Sequence, residues 1–186
     1  MYHESTIRPA TEKIHAMTAD ATATPGTPAT SSAGDRPRTY ETLGILMRFH
    51  AFPDDVQGKY CLVEAVVPPG LGAPPNHHAG ETESFYVLDG EVEFRIGEET
   101  VLAGAGRHVP IPDGAVHAFA ARGERPARVL ILNAPGTMHE RFFTELGEPV
   151  DEGTRLPAPL AAPPDLARVL AVAGSTGMTI LEVPDE

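Results

Sequence analysis

Residues 74–90 read PPNHHAGETESFYVLDG, and this stretch decides the fold. Two adjacent histidines and two glutamates lead into an apolar segment that closes on Asp-Gly. Successive side chains of a strand point to opposite faces, so His77 and His78 face opposite sides of any sheet. The residue that shares a face with His78 is Asn76. On the far side of the turn, Glu83, Phe85 and Val87 form a second alternating set.

Working outward, the segments on both sides are short, apolar and punctuated by Gly and Pro. TLGILMRFH (42–50) places apolar residues at 43, 45, 47 and 49, a strand period. KYCLVEAVV (59–67) is β-branched and almost continuous. Ser84–Leu88 and Glu91–Ile96 flank Asp89-Gly90, a preferred hairpin turn, and predict a β-hairpin. Val92, Phe94 and Ile96 alternate with Glu91, Glu93 and Arg95, the pattern of a half-buried strand. RHVPIP, AVHAFAA and ARVLILNAP continue the series. Close-spaced short strands without intervening helices predict an all-β antiparallel sandwich or barrel.

Helical signals come only afterwards. TMHERFFTELGEP carries an apolar stripe of Met138, Phe142, Phe143 and Leu146, with Thr137 and Glu140 in capping-box register. His139 is assigned to the polar side of this helix. PPDLARVLAVAGS gives a second helix with Leu166, Val169, Leu170 and Ala173 on one face, and MTILEV a last strand. These C-terminal elements are expected to pack on the outside of the barrel. The predicted organisation is an N-terminal arm at 1–38, a barrel at 39–135 and a helical extension at 136–186. TADATATPGTPATSSAGDRPR (18–38) has no apolar period and reads as disordered.

Composition narrows the function classes. The 186 residues carry 26 Asp+Glu against 14 Lys+Arg, a net charge of −12, which argues against nucleic acid or an anionic membrane as partner. The only cysteine, Cys61, rules out a disulfide framework within one chain and reads as a buried small hydrophobe. No apolar run approaches the ~18 residues of a membrane span. The N-terminus lacks a secretory apolar core, so a cytoplasmic location is expected.

Eight positions then fit a known family. Gly70, His78, Glu83 and Gly90 fit the first motif of the cupins, G-x5-H-x-H-x3–4-E-x6-G. Gly106, Pro112, Gly114 and His117 fit the second, G-x5-P-x-G-x2-H-x3-N. The chain resembles small single-domain bacterial cupins akin to quercetin dioxygenases. The resemblance implies a jelly-roll β-barrel with a metal site in its interior. It departs from the pattern at Asn76, where the first histidine is usual, and at Ala121, where the closing Asn is usual.

On that resemblance the expected metal ligands are His78, Glu83 and His117, with Asn76 a weak neutral fourth and Glu83 also a proton acceptor. The expected cofactor is a divalent transition metal, Fe, Mn, Ni or Zn. Phe85, Val87 and Phe119 share parity with the ligands and are expected to line a substrate pocket, with His50 and Arg48 at its mouth. His77 is read as a surface histidine, His108 as structural and Glu81 as a solvated carboxylate. The expected activity is a metal-dependent dioxygenase of a small aromatic or phenolic compound. A non-catalytic small-molecule-binding barrel and an O2-independent metal-dependent isomerase or cyclase are the alternatives. A homodimer is expected from the open sheet edges.

Overall fold

A computed structural model describes residues 36–181. Most of the expected N-terminal arm, and the last residues of the expected final strand, lie outside this range. Residues 36–38, assigned to that arm, are engaged with the barrel. Arg36 stacks over the Phe52 ring and pairs with Glu140 at 2.8 Å, and Arg38 pairs with Asp55 at 2.8 Å.

The described residues form two antiparallel sheets. In chain order the strands are β1 (Thr39–Thr42), β2 (Ile45–Ala51), β3 (Cys61–Val67), β4 (Gly72–His78), β5 (Thr82–Asp89), β6 (Glu91–Ile96), β7 (Glu99–Gly104), β8 (His108–Ile111), β9 (His117–Arg122), β10 (Ala127–Ala134), β11 (Glu148–Pro149) and β12 (Met178–Ile180). Helix α1 spans Thr137–Leu146 and α2 Leu166–Thr176. The larger sheet runs β11-β1-β2-β3-β10-β5-β8 and the smaller β12-β4-β9-β6-β7. The inner faces meet through aromatic rings: Phe85 of the larger sheet lies 5.0 Å from Phe94 and 5.2 Å from Phe119 of the smaller, centroid to centroid. Alternation fills that interface, with Val63, Ala65 and Val67, then Phe85 and Val87, then Val129 and Ile131, all buried.

Two turns differ from the sequence reading. Asp89-Gly90 does not close a hairpin. β5 and β6 lie in different sheets, and Gly90, at φ +78°, turns the chain from one to the other. The two-residue hairpin follows one strand later, where Gly97-Glu98 joins β6 to β7 with Ile96 opposite Glu99. The alternating run at 42–50 is not one strand either. It folds at Leu43-Gly44, both with positive φ, so that Thr42 faces Ile45 across a tight β1–β2 hairpin. Periodicity does not change across such a turn, which is why the break is invisible in the pattern.

The C-terminal elements also sit differently. α1 and α2 do not merely cover the outside. His139, Phe142 and Phe143 of α1, Leu166 and Val169 of α2, and Met178 of β12 wall an internal cavity. β12 extends the smaller sheet alongside β4, with Met178 opposite His78. Among the described residues no helix is long and apolar enough to cross a membrane.

Candidate metal centre and cavity

Glu83 is the hub of the interior. Alternation in β5 turns it inward with Phe85, and the β5–β10 register sets it opposite Asn133. Two imidazoles reach one of its oxygens: His117 Nε2 lies 3.0 Å and His78 Nε2 3.3 Å from Oε2. The other oxygen accepts from Asn133 Nδ2 at 3.2 Å and lies 3.4 Å from His139 Nε2. All five side chains are buried. His78, Glu83 and His139 each offer a ligand atom within 4.8 Å of the other two.

The electrostatics follow from this ring of imidazoles. Burial opposes ionisation of Glu83, but the charge of His139 and hydrogen bonds from His117 and His78 outweigh it and hold the carboxyl well below its usual range. Burial likewise disfavours a charged His117. Its contact with Glu83 and the Ala115 carbonyl prevail and raise its pKa.

The donor chemistry fits a metal ion. His117 Nδ1 lies 2.9 Å from the Ala115 carbonyl oxygen, which can only accept, so Nδ1 carries the hydrogen. In a neutral ring that leaves a lone pair on Nε2, pointed at a carboxylate. Two electron-rich atoms 3.0 Å apart, away from water, need a cation between or beside them. A proton can serve, and so can a divalent ion with bonds of about 2.0–2.2 Å to such atoms.

The residues expected at the site divide in three ways. His78, Glu83 and His117 come together. Asn76 is buried on the same face of β4 as His78, but its Nδ2 donates to the carbonyls of Pro74 and His117, which ties β4 to β9. Phe85 and Phe119 line the cavity, whereas Val87 is fully buried in the core and does not reach it. His50 is a correction. It lies on the outer side of β2, with its side chain 43% exposed, 3.2 Å from Glu64. Its neighbour Phe49 takes the inward parity, so His50 faces outward. Arg48 does not border the cavity either, and instead donates to the Thr154 carbonyl. His77 pairs opposite Thr179, on the face away from His78.

Two residues were misplaced by sequence reasoning. Glu81, read as solvated, is 3% exposed, and His139, read as solvent-facing, is 2% exposed. They contact each other, His139 Nδ1 to Glu81 Oε2, at 2.8 Å. A signal for His139 was present. It stands three, four and seven residues before Phe142, Phe143 and Leu146, and so belongs to their buried stripe. Classing histidine as polar hid it. The expected capping box is not formed, because the N-cap is Gly136, which has no side chain to offer. Glu81 supplies the cap from outside the helix, accepting from Met138 N–H at 2.8 Å.

The cluster opens on a cavity of about 360 Å³. Its wall is apolar and aromatic, with Met47, Phe85, Phe119, Ile131, Phe143 and Val169 among the lining residues, and no lysine or arginine lines it among the described residues.

Residues 63–133 match the cupin domain family model. A curated relative, quercetin 2,3-dioxygenase of Bacillus subtilis, is 27% identical over 121 residues, covering 65% of this chain and 34% of the relative. The chain thus spans about a third of that relative's length. Among solved structures, an oxalate decarboxylase inferred in Thermotoga maritima is similar at 22% identity and TM-score 0.48, over 56% of this chain and 96% of the other. An RmlC-like cupin of Shewanella frigidimarina is similar at 14% identity and TM-score 0.47, over 56% and 88%.

Proposed function

We propose that this chain, which matches the cupin domain family model over residues 63–133, is a metal-dependent dioxygenase of a small aromatic or phenolic compound. The observation that carries this reading is the convergence of His78 and His117 on Glu83 at the wall of an apolar-lined cavity. When bound there by His78, Glu83 and His117, a first-row divalent ion supplies Lewis acidity toward a substrate oxygen and the redox chemistry that activates O2.

The chain's own groups account for the rest. Phe85 and Phe119 present ring faces and edges to a flat substrate and fix its plane. The apolar wall excludes water, which strengthens every polar interaction at the cluster. Glu83 Oε2 faces the cavity as a carboxylate that accepts a hydrogen bond from a substrate hydroxyl, with the His117 ring 3.0 Å away to share its proton. Among the described residues the lining is apolar, without lysine or arginine, and this favours a neutral substrate over a carboxylate, a phosphate or an acidic sugar. The relative's substrate class is consistent with that preference.

Metal uptake by the purified protein, followed by oxygen consumption with a panel of flavonols and simpler phenols, tests the proposal. Turnover with O2 and none under nitrogen is the expected result. Turnover that persists without O2 would move the activity to an isomerase or cyclase, and a protein that takes up no ion would end the reading.

A further inference from the structure

We infer that His139, carried by α1 beyond the end of the matched domain, is a third imidazole ligand of this centre, standing in for the one that Asn76 cannot supply, and that Glu81 is its positioning residue. The inference deepens the metal-binding reading above and rests on it.

The geometry argues as follows. The side chain at 76 is an amide already tethered to two backbone carbonyls, so β4 offers one imidazole from its inner face, that of His78. A second comes from β9 as His117, 3.0 Å from Glu83 Oε2. The remaining open side of Glu83 is Oε1, and there His139 Nε2 stands at 3.4 Å. The rings of His139 and His78 meet edge to face with centroids 4.5 Å apart, and His78 meets His117 in the same way at 5.1 Å. The imidazoles therefore surround one carboxylate instead of stacking on one another.

The hydrogen bonding of His139 gives its ring a direction. Nδ1 is 2.8 Å from Glu81 Oε2, a carboxylate oxygen that accepts and does not donate. The hydrogen is thus held at Nδ1, and the lone pair of the neutral ring is on Nε2, toward Glu83. This carboxylate–histidine arrangement fixes the tautomer and orientation of a metal-binding imidazole. Glu81 is itself immobilised, since it also accepts from the Met138 N–H at 2.8 Å and from the Thr137 hydroxyl at 3.3 Å. One side chain from the β4–β5 turn thereby docks the first turn of α1 and aims the ligand that this turn carries. The result is a centre that the barrel strands alone do not complete.

The test uses the full chain and Co2+ as probe, with visible absorption reporting the ligand field and chelator competition the affinity. His139→Gln retains bulk at the site but removes the ring. It should weaken Co2+ binding by about 10- to 100-fold or more and alter the absorption bands. Adding Asn76→His to His139→Gln should restore most of the affinity. Glu81→Gln, which keeps a cap for α1 but offers an amide to the ring, should weaken Co2+ by about 10-fold while the metal-free protein melts near the wild-type temperature. Wild-type affinity and bands in His139→Gln would overturn the inference and leave the metal reading intact. Failure of the wild-type chain to bind Co2+ would remove both. Should His139→Gln not fold, NMR of isotope-labelled histidines in the Zn2+-loaded wild-type protein decides. Three coordinated imidazoles support the inference, and two overturn it.

Discussion

Asn133 Nδ2 donates to Glu83 Oε1 across the β5–β10 ladder, 3.2 Å between two side chains that face each other in register and are both buried. Among the described side-chain contacts to Glu83 it is the one made by an amide, which does not titrate, so it persists whatever the imidazoles do. Asn133→Leu keeps the approximate volume and removes the donor. A hydrogen bond to a buried charge is worth about 1.5–3 kcal/mol, so urea unfolding of chelator-treated protein should show a loss of that order. An unchanged midpoint would mean that the imidazoles alone satisfy the carboxylate.

The corner at Gly90 makes a second prediction. At φ +78° an L side chain is strained, and a Cβ added here would stand 2.9 Å from Ala127 Cα, which is backbone and cannot swing aside. Gly123, at φ +84°, has open space around it. Both alanine variants carry the backbone cost of about 1–2 kcal/mol, but only Gly90→Ala adds a clash at the junction of the sheets. Gly90→Ala should therefore melt clearly below Gly123→Ala. Equal melting temperatures would show that β10 can retreat from the corner.

These two positions also show what a sequence can and cannot convey. The side assignments around the site were legible, because the pleat alternates along these stretches: Asn76 and His78 share the inner face of β4, and Glu83 and Phe85 that of β5. Which strands pair was not. Asp89-Gly90 signals a reversal with positive φ, and a reversal serves a sheet-to-sheet corner as well as a hairpin. The distinction is made by β10 and β8, which pair with the two edges of β5 and leave none for β6. Glu81 and His139 were hidden for a related reason. Each is polar and each is buried because of the other, and a pair separated by 58 positions leaves no local trace.

Cys61 predicts both a chemical and a pH behaviour. The thiol is fully buried on β3, and burial pushes its pKa up to about 12. A thiol reagent should label the native protein only as fast as it opens, and label it at once in denaturant. The folded value lies above that of the unfolded chain, about 8.5. Its contribution to stability is therefore complete below that pH and is lost as pH rises toward the folded value. Cys61→Ala should flatten this alkaline limb in a plot of unfolding free energy against pH. Rapid labelling of the native protein at neutral pH would contradict the burial.

Val169 separates the cavity from the cluster. It reaches the cavity from α2, whereas the groups around Glu83 come from β4, β5, β9, β10 and α1. The about 360 Å³ of space leaves its side chain short of partners on one side, so a larger group can enter without displacing packed neighbours. Val169→Phe should then cost little stability, unlike an overpacking change in the filled core at Val87 or Val129, which typically costs about 1–3 kcal/mol. The added ring takes up room that a substrate needs. Affinity for a small neutral phenol should fall by about tenfold, equivalent to about 1.4 kcal/mol, while Co2+ affinity stays at the wild-type value. Isothermal titration with each probe in turn reads the two effects separately. A joint loss would mean that α2 shapes the centre itself, and an unchanged phenol affinity would place the aromatic binding site outside this cavity.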